Sequence, residues 1–139
     1  MVFQEITPPH DFLRGVSLFN RMAFFEAHEF MELAWRAEPG FRRQFYQGVL
    51  QLSVAWFHLQ KQNLIGAQKV LTKAEQNLFP FPDHYLGYNL VVIRQQIKNL
   101  LLAISQVQEQ EQVIIFNDWV DRYFEKIFPD VESSSSHGF

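Results

Sequence analysis

The chain has 139 residues, of which 47% are hydrophobic and 16% aromatic, and its formal net charge is -3. A hydrophobic fraction of this size excludes a disordered chain and predicts one domain with a substantial core. The 12 basic residues are outnumbered by 15 acidic ones, so the chain lacks the basic footprint of a nucleic-acid-binding protein.

Cysteine is absent, which excludes disulfides, thiolate metal sites and a cysteine nucleophile. The N-terminal sequence MVFQEITPPHDF has no basic region before an apolar one, and no stretch approaches the ~20 apolar residues of a membrane span. We therefore expect a cytoplasmic protein that binds neither membrane nor nucleic acid. The 15 Phe, three Trp and four Tyr are numerous enough to reach an interface, so we expect a homodimer through aromatic surface on the terminal helices.

Apolar residues recur at helical steps along the chain and predict six helices, with no alternating strand pattern. Asp11, Asn63 and Asn89 are natural N-caps for the first, fourth and fifth helices. The fold class is therefore all-α, a compact bundle built from antiparallel helix hairpins in one domain of residues 1–130, with a flexible polar tail at 131–139. The predicted helices cover residues 12–19, 23–37, 41–62, 64–78, 90–107 and 114–128.

The second predicted helix contains FFEAHEFMELAW, residues 24–35. At about 100° per residue, His28, Glu32 and Trp35 share one side of this helix and Glu29 adjoins them. The rest of the circumference is largely apolar, so we expect the helix and its carboxylates to be at least partly buried, which requires partners for the charges. In the third helix Gln47, Gln51 and His58 share one face and could form a polar seam opposite.

These residues support a hydrophilic pocket between the second and third helices. His28 and Glu32 are candidate ligands of a divalent metal ion, which is the cofactor this pocket could hold, and Glu29 is a candidate base for hydrolysis. The pocket would be lined by Trp35, Gln47, Gln51 and His58. In the alternative interpretation, the same groups only satisfy one another and fix the register of two packed helices.

Several motifs resemble the family called domain of unknown function 309, over about residues 18–102. The resemblance is carried by LFNRMAFFEAHEFMELAW, FYQGVLQLSVAWFHLQKQN and NLIGAQKVLTKA. It implies a compact helical bundle and a metal-dependent hydrolase, and it makes the predicted helix at 113–128 an addition to the family core. Met22 departs from the family pattern, which has Gly there, so the turn at that position is expected to differ.

Three functions therefore remain open. The first is a metal-dependent hydrolase that uses His28, Glu29 and Glu32. The second is a non-catalytic helical module that binds partner proteins, since paired helices resemble tetratricopeptide-like hairpins. The third is a protein that binds a small molecule in the polar pocket without converting it.

Overall fold

A computed structural model describes residues 8–110 and 113–129 and shows an all-α fold. Consecutive helices from α1 to α5 pack on one another as hairpins. The predicted all-α bundle of about six helices is confirmed. The described helices are α1 (His10–Asn20), α2 (Phe24–Ala37), α3 (Arg42–Gln60), α4 (Leu64–Leu78), α5 (Leu90–Gln110) and α6 (Phe116–Tyr123).

Three local predictions differ from the structure. Asp11 does not cap α1, because the helix already begins at His10, after Pro9, whose carbonyl accepts a hydrogen bond from the Leu13 amide. The strands β1 (His84–Tyr85) and β2 (Tyr88–Asn89) form a short hairpin before α5, although no strand was expected. Its turn uses positive φ angles of 50° at Leu86 and 81° at Gly87, a geometry suited to two-residue hairpins. The helix predicted at residues 114–128 is shortened to α6.

The caps of α4 and α5 agree with the sequence. The Asn63 side chain accepts a hydrogen bond from the Gly66 amide, and that of Asn89 accepts one from the Val91 amide. These bonds satisfy amides that have no partner inside the first helical turn. The predicted tail at residues 131–139 lies outside the described residues.

The α1–α2 and α3–α4 hairpins close with the same turn. Met22 and Gln62 occupy equivalent places, with φ angles of 62° and 60°. In the first turn the Ala23 amide donates to the Leu18 carbonyl over 3.0 Å, and in the second the Asn63 amide donates to the His58 carbonyl over 2.9 Å. The hairpins also share buried positions, which pair Phe19 with Leu59, Ala27 with Ala67, Met31 with Leu71 and Ala34 with Ala74. The two hairpins are therefore a structural repeat.

One hydrophobic core connects the helices, and α3 lies at its centre. Trp56 is fully buried and stacks on Phe24 of α2 with a centroid distance of 5.7 Å. Trp119 of α6 and Ile127 beyond it join the same core. None of the helices in the described part of the chain is long and apolar enough to cross a membrane.

Candidate functional site

The predicted His28 and Glu32 pair forms on the surface edge of α2. His28 Nε2 lies 3.7 Å from Glu32 Oε1, and the side chains are 25% and 32% exposed. The other Glu32 oxygen, Oε2, lies 2.7 Å from Arg36 Nη2, one turn further along the helix. His28 Nδ1 lies 3.0 Å from the Phe25 carbonyl. The carboxylate of Glu32 is therefore already neutralised by a cation from its own helix.

The expected partial burial of the polar side of α2 holds for His28, Glu32 and Trp35 but is wrong for Glu29. Glu26 and Glu29 are exposed, and the apolar side chains of Phe25 and Leu33 are 47% and 49% exposed. Only one side of α2 packs on its neighbours. Apolar side chains therefore also lie on the side of α2 that faces solvent. Glu29, the candidate base, is exposed on that side and needs no buried partner.

The expected polar seam between α2 and α3 does not form from Gln51 and His58. The Gln51 side chain accepts a hydrogen bond from Asn77 of α4 over 2.8 Å, and His58 Nδ1 lies 3.2 Å from Asn63 Nδ2 at the start of α4. Ser53 instead contacts α2, through Met31. Helical periodicity thus directs positions 51 and 58 toward α4. Gln47 lies half-buried in α3.

The residues of this cluster do not fit a metal centre held by protein ligands. Within residues 8–110 and 113–129, no three His, Asp or Glu side chains come together at one point, whereas zinc and similar ions take three or four protein ligands. Trp35 is half-buried and lies under the Arg43 guanidinium, whose carbon is 4.4 Å from the ring centroid. One face of the Trp35 ring is therefore covered by a cation.

A second constellation was not predicted from the sequence. Residues 113–129, here called the clamped segment, cross the turn ends of both hairpins. Gln62 Nε2 donates to the Ile114 carbonyl over 3.1 Å, and Gln62 Oε1 accepts from the Ile114 amide over 3.2 Å. Asn20 binds Ile127 in the same two-bond way, over 2.8 and 2.7 Å. A side chain from each hairpin thus binds the main chain of the segment near one of its ends.

A third amide also holds the clamped segment, two residues before Ile127. Gln96 is 1% exposed; its Oε1 accepts from Trp56 Nε1 over 2.8 Å, and its Nε2 donates to the Glu125 carbonyl over 3.0 Å. The ring of Phe124 lies beside Phe19, Phe24 and Trp56, here called the aromatic box, with centroid distances of 5.1, 5.7 and 5.5 Å. Gln96 therefore links the indole of the aromatic box to the backbone beside Phe124.

The sequence pattern of α5 indicates that Gln96 is buried. Gln96 shares the helical face of Ile93, Ile97 and Leu100, all of which are buried. A lone amide on such a face must find a hydrogen-bond partner. Asn20 lies within the motif LFNRMAFFEAHEFMELAW, and nothing nearby in the sequence indicates that it bonds to a residue more than a hundred positions away.

Comparisons with known proteins agree with the resemblance described above. Residues 12–70 match the family described as domain of unknown function (DUF309). The chain is also 35% identical over 52 residues to an uncharacterized protein, YpuF, of Bacillus subtilis (strain 168). The aligned region covers 37% of this chain and 30% of that protein. The family match ends within α4, before the upper limit of 102 that the motifs indicated, and it contains both hairpin turns. Residues 12–70 of this chain are therefore similar to this family, whose description assigns no activity.

Proposed function

We propose that this protein is a non-catalytic helical-hairpin module that docks a peptide segment, held by its main chain, across the turn ends of its two hairpins. The observation that supports this function is the way the clamped segment is held. Asn20, Gln62 and Gln96 bond to its main-chain groups. Main-chain recognition tolerates different side chains, so a surface built in this way can accept a segment of another protein.

The repeat of two hairpins also supports docking. Stacked helix pairs present continuous surfaces and are widely used to bind partners. Both turns and both end clamps, Asn20 and Gln62, fall inside residues 12–70, the region that matches the family. The clamped segment falls outside that region. The proposed docking surface therefore belongs to the family region, and its present occupant does not.

The hydrolase function remains the second candidate, because one feature of His28 suits a metal ligand. If its Nδ1–H donates to the Phe25 carbonyl, Nε2 keeps the lone pair that a metal would bind, as in many metal-ligating histidines. With Glu32 paired to Arg36, however, a metal ion would need further ligands from elsewhere. Docking is favoured because its contacts are complete, whereas those of a metal centre are not.

Peptide binding by the full-length protein tests the proposed function. Ile114→Asp/Ile127→Asp, here called the released variant, places carboxylates at two positions that are each 4% exposed, and the cost of burying them should detach the clamped segment. A labelled synthetic peptide of residues 113–129 should then bind the released variant in a fluorescence anisotropy titration. Adding Asn20→Ala and Gln62→Ala should abolish that binding.

The matched control is Lys126→Asp, which changes the charge of an exposed side chain in the same segment and should leave the segment in place. Circular dichroism must show that the released variant keeps its helices. A folded released variant that binds no peptide contradicts docking. Calorimetric titration of wild type and His28→Ala with zinc tests the alternative, since stoichiometric binding that requires His28 would favour the hydrolase.

A further inference from the structure

We infer that the partner docked by this protein carries an aromatic-x-x-aliphatic motif in extended conformation, and that Phe124 to Ile127 occupy the place of this motif in the free protein. This inference rests on the proposed docking function and names the chemistry of its ligand. It follows from the different burial and contacts of four consecutive residues, Phe124, Glu125, Lys126 and Ile127.

The first position requires an aromatic ring. The backbone leaves α6 at Phe124, where φ and ψ of -73° and 128° are extended. The Phe124 ring is the one that completes the aromatic box, at centroid distances of 5.1 to 5.7 Å from three rings. Ring pairs at such distances contribute beyond the area they bury. An aliphatic side chain here would lose the edge-to-face contacts with Phe24 and Trp56.

The two middle positions accept any side chain. The side chains of Glu125 and Lys126 are exposed, and only the Glu125 carbonyl is used, by Gln96. The side chain at neither position contributes to specificity. These positions therefore correspond to x-x in the motif.

The fourth position requires an aliphatic side chain. Ile127 is 4% exposed, and Asn20 binds both its amide and its carbonyl. A groove of about 380 Å³ beside it is lined by Leu13, Val16 and Ser17 of α1 and, on the other side, by residues 127–129 of the clamped segment itself. A β-branched residue suits the extended backbone that this pairing requires. The residues that follow the motif form part of the wall of this groove, and Phe128 among them is 59% exposed.

Because the chain supplies its own motif, a partner must compete with it. A segment tethered to its site acts at an effective concentration of roughly millimolar. The wild-type protein should therefore bind a free motif peptide at least about tenfold more weakly than the released variant does.

A substitution scan of the peptide YFEKIFP, residues 123–129, on the released variant tests the motif. Replacing the residue that corresponds to Phe124 or to Ile127 with Ala should weaken binding at least about tenfold, whereas Ala at either middle position should change it less than about threefold. Equal losses at all four positions overturn the motif. If the 113–129 peptide still binds, the docking function itself survives that result.

A second measurement does not depend on the released variant. Isotope-labelled wild-type protein, titrated with millimolar YFEKIFP peptide, should shift the side-chain NMR signals of Asn20, Gln96 and Trp56 Nε1. The peptide with Ala in place of both motif residues should shift none of them. Equal shifts with both peptides, or with neither, would show that the motif is not what this surface recognises.

Discussion

At the scale of single residues, Met22 and Gln62 adopt the same backbone conformation for different reasons. Both have positive φ, which costs a residue with a side chain ~1–2 kcal/mol relative to glycine. Gln62 offsets this cost through two hydrogen bonds to Ile114. Met22 is 43% exposed and has no such compensation. The left-handed conformation at Met22 forms with a residue other than glycine, and the expected difference from the family's turn stays a prediction.

Met22→Gly should therefore raise the free energy of unfolding by ~0.5–1 kcal/mol, the cost of positive φ less the extra chain entropy of glycine in the unfolded state. Gln62→Gly relieves the same backbone cost but removes two hydrogen bonds, so it should bring no gain. Urea unfolding of both variants, followed by circular dichroism, measures the difference. If both glycines stabilise equally, the Gln62 clamp contributes nothing.

The sequence could predict where His28 and Glu32 lie but not what they pair with. Their spacing on one helix places them within reach of each other, and the structure agrees. Arg36, at the next helical step, was available to the same reasoning and is the stronger partner of Glu32. The sequence places Gln51 and His58 on one face of α3 but does not say which neighbouring helix that face contacts. A rotation of some tens of degrees decides between α2 and α4, and periodicity alone does not determine it.

At the scale of helices, local patterns predicted α1 to α5 well and failed at the C-terminal end. The first five are set by apolar period, caps and Pro or Gly stops, all of which are local. The helix predicted to reach residue 128 instead ends at Tyr123, because the backbone beyond it bonds to Gln96 and Asn20 rather than to itself. Such partners are distant in sequence, so no local pattern could reveal them.

The packing of α1 on α2 depends on Gly15. A Cβ added there would lie 2.5 Å from Met31 Cγ and 3.1 Å from the Ala27 carbonyl oxygen. The helix backbone cannot yield easily, so Gly15→Ala should destabilise the fold by ~1–3 kcal/mol through overpacking. Gly40→Ala is the control, since its Cβ would approach only the flexible Glu38 carboxylate. Thermal unfolding should separate the two variants, and equal melting temperatures would mean that the hairpin adjusts freely.

At the scale of the whole molecule, two buried tyrosines connect α1 and the clamped segment to the centre of the core. Tyr46 of α3 packs on Phe12 of α1 with a centroid distance of 4.8 Å. Tyr88 of β2 packs on the same ring and forms an isolated bridge with Pro129, the last residue of the clamped segment. Burial raises the pKa of both phenols from 10.0 to about 12. Their ionisation is therefore linked to folding.

The sign of this linkage predicts alkaline unfolding. Because the folded state raises the pKa of each phenol, the contribution of the neutral phenol to folding stability is fully present below pH ~10 and is lost as pH rises toward ~12. The free energy of unfolding then falls by at most ~1.4 kcal/mol per pH unit for each group. The urea midpoint should fall steeply between these values, and Tyr46→Phe/Tyr88→Phe should reduce the slope because Phe cannot ionise. A wild-type midpoint that stays constant over this range would contradict the linkage. Tyr88 also bridges to Pro129, so ionisation of the phenols should loosen the docking surface as well. If the two unfold together, amide hydrogen exchange at Ile127 should accelerate over the same pH interval by more than the ordinary base-catalysed increase.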